Sequence, residues 1–297
     1  MSAAGTRTEL VADARTALES VQDGATVGIG GILTNGRPMT LVRELARRGL
    51  RDLTVVAPVA ALDVDLLIAT GCVRRVVTSY VGCEGIAGVA PLFRSAAESG
   101  AIEVWELDEA HCGLALRAAA QRLPFLPWRG GVGTDLPIHN PRLVPFADPI
   151  GGESLLAIPA LPLDLALIHG HRADRFGNVQ FSGPTHMDPV MASAAARVVV
   201  QVEELVGNDV IRRDPAATHR WRTTSVVPAR WGTHPYAATT IEADVEHLTA
   251  FAAAGKRAAR GDRDGLEQYL DAHVRGPADH AQYLDHIGLR RILELNP

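Results

Sequence analysis

Three kinds of residue in this 297-residue chain could do chemistry by type and spacing: a run of glycines, carboxylates at the expected ends of strands, and paired histidines. The glycines are Gly28, Gly30 and Gly31, which close the apolar run Ala25–Ile29. A strand that ends in glycine lets its backbone approach a ligand closely, and its N–H groups can face an oxyanion or a phosphate. The same run also suits a tight strand-to-helix turn, and the sequence leaves both readings open. Position 33 is Leu33, so the G-x-G-x-x-G dinucleotide pattern fails, and the chain has no G-x-x-x-x-G-K-[ST] loop. ATP-driven chemistry is therefore not expected.

Glu84 lies within Val81-Gly82-Cys83-Glu84-Gly85, and Glu109 within Glu106-Leu107-Asp108-Glu109-Ala110-His111. A carboxylate at a strand end can act as nucleophile, base or orienting group. A solvated surface acid is the alternative for both. Asp108 has the position of a helix N-cap. His169 and His171 would share one side of a strand, a spacing that could hold a metal. No third ligand stands at a recognisable spacing, so no metal is expected, and one of the two histidines is expected to bond a loop on the rim. Cys83 and Cys112, the latter beside His111, are nucleophile candidates, although buried thiols are commoner. The chain has no G-x-S-x-G elbow. Gly177-Asn178 suits a turn between two strands.

The elements that must position these residues alternate. Helical spacing of apolar residues predicts helices over Glu9–Val21, Pro38–Arg48, Asp63–Thr70, Ala90–Ser99 and Cys112–Arg122. Strands are expected over Ala25–Ile29, Leu53–Val59, Val73–Ser79 and Ile102–Leu107. Further strands are expected over Leu155–Ile158, Leu163–His169, Val179–Phe181 and Val198–Val202, with a short helix over Met191–Arg197. Alternation at these lengths predicts an α/β fold on a mostly parallel sheet. Ligands then sit at the carboxyl ends of the strands. That places the Gly28–Gly31 loop, the Gly82–Gly88 loop and the Asp108–His111 turn on one rim. Pro124–Pro149, rich in Pro and Gly, reads as a long functional or mobile loop. From Ala243 the chain turns helical. The Gln-Tyr-Leu-Asp sequence at 268–271 recurs at 282–285, and Gly276-Pro277 between them implies two helices.

Composition excludes several classes. At 47% hydrophobic residues the chain can bury a large core, and a net charge of −5 without a basic stripe argues against a nucleic-acid partner. The three cysteines contain no CxxC pair, which points to a reduced, cytoplasmic setting. Asp63 and Asp65, and the group Pro159, Pro162 and Asp164, interrupt the most apolar segments, so no membrane span is expected. The acidic, amphipathic N-terminal stretch does not read as a signal peptide.

Several segments in this order resemble the A (alpha) subunit of the family I coenzyme A transferases, glutaconate branch. They are DGATVGIGGI…GRPMTLVRELARRG, DLTVVAP, GCVRRVVTSYVG, GAIEVWELDE, AAAQRLPFLPWRGGVGTDL, RADRFGNVQFSG, VVVQVEELV and Thr233-His-Pro-Tyr236. That branch includes the paired-subunit hydrolases of steroid-ring catabolism. The resemblance implies a Rossmann-like open sheet (the NagB/RpiA/CoA transferase-like class), with residues 1–242 as the α/β domain and 243–297 as a helical extension packed on it. It implies a partner B (beta) subunit. It also implies an acyl-CoA and a carboxylic acid as substrates, and no permanently bound cofactor. The covalent nucleophile, a glutamate that carries CoA as a thioester, would lie on the B subunit. Glu109 falls where the family lines the acyl pocket and is the catalytic candidate. Gly28, Gly30, Gly31, Glu84 and Asn178 are the substrate-binding candidates. Two other readings remain open, a CoA-thioester hydrolase that cleaves a cyclic β-keto acyl-CoA and a non-catalytic scaffold. Ile32-Leu33-Thr34-Asn35 and Leu136–Ala147 depart from the family pattern and leave the acyl group open.

Overall fold

The computed structural model describes residues 7–296, so the outermost positions of the two expected segments, 1–6 and 297, lie outside it. Seven strands form the parallel centre: β1 (Thr26–Ile29), β2 (Leu53–Val56), β3 (Val73–Thr78), β4 (Glu103–Glu106), β5 (Leu163–Ala173), β6 (Ala195–Leu205) and β7 (Thr223–Pro228). Their spatial order is β7-β6-β5-β1-β2-β3-β4, and every neighbouring pair is parallel. Two short antiparallel strands, Val179–Gln180 and Thr218–His219, extend the sheet to nine. The chain runs outward from β1 to β4 and then returns to the other side of β1 with β5. The order reverses between β1 and β5, the place where open α/β sheets open a crevice for ligands.

Helices cover both faces, which is why all four residues of β2 are buried. On one face lie α1 (Ala14–Leu18), α2 (Met39–Arg47), α3 (Leu62–Ala69) and α4 (Pro91–Glu98), whose Leu18, Leu41, Leu45 and Leu67 share a core with Val27 and Leu165. On the other lies α5 (Glu109–Ala120), with Cys112 and Leu116 packed in the core that holds Val77 and Ile168. The same core takes Met191 of the later helix Asp188–Ala194.

Three sequence expectations change. The predicted long loop at 124–149 is largely ordered. Phe125–Trp128 and Val144–Ala147 flank Ser154–Pro159 in a small antiparallel sheet, with helix α6 (Leu136–His139) between them. Pro127 and Pro145 sit in its two edge strands, where a missing N–H can face solvent. The prolines that suggested a loop therefore fit a sheet edge. The predicted helix at Glu9–Val21 shrinks to α1, because the Asp13 carboxylate accepts the Thr16 N–H as an N-cap. Before it the chain is extended, with Leu10 N–H donating to Arg175 O and Ala12 N–H to Val226 O. The predicted helix at Met191–Arg197 is α7 (Asp188–Ala194), after which β6 begins at once.

After α8 (Asn208–Ile211) and β7, the chain becomes helical: α9 (Val245–Ala258), α10 (Asp264–Leu270), a single π-turn, α11 (His280–Ile287) and α12 (Leu289–Glu294). Leu248, Phe251, Leu266 and Leu270 enter the core shared with α3 and α4. Asp244 fastens this segment. Its carboxylate accepts the His247 N–H at the start of α9 and receives Arg291 of α12 at 2.7 and 3.0 Å.

Candidate functional site

The glycine loop is built for close packing. Gly28 lies within β1, where an added Cβ would come within 2.7 Å of Leu163 and 2.9 Å of Met191. At Gly30 a Cβ would meet the Asp188 carboxylate at 2.8–2.9 Å. Gly31 has φ +85°, a left-handed backbone that glycine adopts without steric cost. The N–H groups are already bonded inward: Gly30 donates to Leu167 O, and Gly31 donates to Asp188 Oδ1 at 2.8 Å. Arg37, fully buried, donates to the carbonyls of Gly30, Leu33 and Val59, and its guanidinium stands 3.5 Å from Asp63. Both N–H groups are therefore bonded within the chain. The glycines bring Asp188 against the end of β1 and leave the loop backbone clamped.

Asp188 is the link to the carboxylate candidate. Burial pushes its carboxyl up to about 7, against the Gly31 N–H and the charge of Arg37. Two residues earlier, His186 Nε2 lies 2.8 Å from Glu109 Oε1. The segment Thr185–Asp188 therefore joins the end of β1 to the turn that follows β4. His186 has φ +44°, a strained value for a non-glycine residue. Such strain persists where the surroundings over-determine it. Here Asp188 N–H donates to Thr185 O, Asp188 holds Gly31, and the Met187 methyl would lie 3.5 Å from a Cβ added at Gly113 of α5.

Glu109 is the first residue of α5. Asp108 caps that helix, accepting the His111 N–H at 2.7 Å. A carboxylate in the first turn is favoured by the helix dipole. The Glu109 side chain is 57% exposed and that of His186 only 12%, so the acid faces open space while its partner is seated. Behind them the His111 Nε2 pairs with Gly130 O at 3.1 Å, tying the small-sheet region to α5.

The remaining candidates separate. Glu84 is exposed in the turn between strands Tyr80–Cys83 and Gly88–Val89, just past β3 and on the same rim. Its charge helps to raise the Tyr80 hydroxyl, behind the larger effect of burial. Asn178 is buried in the turn after β5. Its N–H and side-chain amide both donate to Asp174, at 3.0 and 2.7 Å. These two bonds hold the side chain in the turn. Gly177 of that turn is left-handed, with φ +81°.

His171 approaches Thr239 at 3.4 Å, as expected of a histidine that meets a rim loop. His169 is buried between Gln201 and Glu203, and burial pushes it down to about 3. All three cysteines are buried, and burial drives Cys112 up to about 12, which removes it as a nucleophile at neutral pH. Among the described residues, His234, Asp244 and His247 could converge on an ion. Arg291 already occupies both Asp244 oxygens, so the group serves as a fastening.

Sequence reasoning missed His186 and Asp188. They lie 77 and 157 residues from the groups they bond, Glu109 and Gly31, and the one local sign was a histidine and an aspartate beside prolines 184 and 189.

Residues 11–224 match the coenzyme A transferase family. The chain is 35% identical to the A subunit of the 3-oxoadipate CoA-transferase of Pseudomonas knackmussii, over 89% of this chain and 92% of that one. It is 33% identical to the cholesterol ring-cleaving hydrolase IpdA subunit of Mycobacterium tuberculosis, over 94% and 99%. It spans 61% of the length of a relative from Archaeoglobus fulgidus, at 32% identity over 92% of this chain. The crystal structure of glutaconate CoA-transferase from Acidaminococcus fermentans superposes with a TM-score of 0.91 and 26% identity, over 97% of this chain and 95% of that one.

Proposed function

The chain belongs to the coenzyme A transferase family, and from that premise we propose that it is the A subunit of a two-subunit CoA transferase, with Glu109 lining the acyl site. The observation that carries this reading is the exposed Glu109 carboxylate. It stands at the strand-end rim and is held by His186, in a chain that matches the glutaconate transferase structure over 97% of its length.

The reaction moves CoA between a carboxylic acid and an acyl-CoA. A glutamate on the partner chain attacks the thioester carbonyl, the CoA thiolate leaves, and a mixed anhydride forms. The thiolate then attacks the glutamyl carbonyl and releases the first acid as its carboxylate. The second acid reverses both steps and leaves as its thioester. Each exchange is close to energy-neutral and needs no ATP, in keeping with the missing nucleotide loops. Glu109 contributes a fixed charge and a hydrogen-bond acceptor beside the acyl group. The glycine loop supports the site by holding Asp188, and with it His186, in place.

The substrates are small acids and their CoA thioesters, and the setting is cytoplasmic. No helix among the described residues is long and apolar enough to cross a membrane. A second reading is supported by the Glu109–His186 pair itself, which could take a proton from water, and by the 33% identity to a ring-cleaving hydrolase subunit. In that reading no glutamyl-CoA forms. Co-expression with the partner chain, followed by a screen of CoA thioesters with sodium borohydride added after acyl-CoA, separates the two. Borohydride reduces a glutamyl thioester and inactivates a transferase, and a hydrolase without that intermediate keeps its activity.

A further inference from the structure

We infer that His186 is a positioning residue for Glu109, and that the Thr185–Asp188 segment fixes the Glu109 carboxylate to the end of β1. The inference rests on the reading of Glu109 as the acid of the site. Three observations carry it. His186 Nε2 is 2.8 Å from Glu109 Oε1. The His186 backbone sits in the left-handed region at +44°, uncommon for a residue other than glycine. Asp188 anchors the same segment through the Gly31 N–H, at a point where only glycine at position 30 leaves room for the carboxylate.

An exposed glutamate at a helix start has several rotamers. A seated imidazole that donates Nε2–H to one carboxylate oxygen removes most of them, while the side chain stays exposed. The other titratable groups nearby are committed elsewhere: His111 to Gly130 O, Asp108 to the His111 N–H, and Asp188 to Gly31.

The test uses the full chain and its co-expressed complex. Imidazole ring signals of ¹⁵N-histidine-labelled protein are recorded at a single pH, with the His186 signals assigned by their loss in His186→Gln. In Glu109→Gln the His186 ring ¹⁵N signals are expected to move, as the charged carboxylate beside Nε2 is replaced by a neutral amide. In turnover with succinyl-CoA as donor, His186→Ala is expected to lose about tenfold or more in kcat with little change in KM. His186→Asn, which tolerates a left-handed backbone but does not reach Glu109, should behave like Ala. His186→Gln, which keeps a donor, should recover most of the loss. His186 ring signals that Glu109→Gln leaves unmoved overturn the pairing, whatever the turnover. Wild-type turnover in His186→Ala alongside an inactive Glu109→Gln overturns the positioning role and leaves Glu109 standing. Full turnover in Glu109→Gln overturns the reading of Glu109 itself.

Discussion

His186 Nε2 and Glu109 Oε1 are 2.8 Å apart although 77 residues separate them in the chain. The contact joins two crossovers of the sheet at the rim where its strand order reverses. If Glu109 acts in the acyl site, Glu109→Gln should lower kcat by about 10²–10³-fold, the range for losing one preorganised electrostatic contact. The side chain is exposed and most surface changes cost under about 0.5 kcal/mol, so melting temperature and complex assembly should stay near wild type. Steady-state kinetics and size-exclusion chromatography of the same preparation check both halves.

Gly30→Ala puts a methyl 2.8–2.9 Å from the Asp188 carboxylate. Overpacking of this kind costs about 1–3 kcal/mol. Gly24 is left-handed with open space around it, so Gly24→Ala should cost only the backbone term, about 1–2 kcal/mol. Urea denaturation distinguishes them further. In an Asp188→Ala background the Gly30→Ala penalty should shrink, while the Gly24→Ala penalty should not.

Asp188 makes a signed prediction in pH. Its carboxyl is raised to about 7 by burial, so the folded state favours the protonated form. The stability it contributes is fully present below the unfolded value, about pH 4, and is lost as pH rises through about 7. Asp188→Asn keeps an acceptor for the Gly31 N–H and cannot ionise. The melting temperature of Asp188→Asn relative to wild type should therefore rise between about pH 4.5 and 7.5. Asp65, raised similarly, shapes both proteins alike and cancels in the difference. A constant offset across that range would contradict the assignment.

Asp244 carries the opposite sign. His234 and Arg291 hold its carboxyl well below the usual range, against burial, so its contribution is present above about pH 4 and is lost in acid. Asp244→Ala removes the α9 cap and leaves His234 and Arg291 without their shared partner. A loss of about 3 kcal/mol is expected. Proteolysis should show the C-terminal helices opening first.

The parallel sheet was legible because its strands are buried on both faces and read as unbroken apolar runs such as Leu53–Val56. The small sheet was not, because Pro127 and Pro145 look like loop residues until their strands are known to be edges. The position of Glu109, after a strand and beside the Asp108 cap, was legible. The glycines were legible as a close approach, but not what approaches them. Asp188 lies 157 residues beyond Gly31, and no local pattern announces it. The Gly177–Asn178 turn was legible as a turn, but not the Asp174 carboxylate that accepts both Asn178 N–H groups.

The central claim is that CoA passes through a thioester on the partner chain while this chain supplies Glu109. Intact-mass spectrometry of the co-expressed complex, quenched in acid after incubation with succinyl-CoA, tests it most directly. The predicted result is a CoA adduct on the partner chain and none on this one, with the adduct lost when an acceptor acid is added. An adduct on this chain, or full turnover by this chain purified alone, would contradict it.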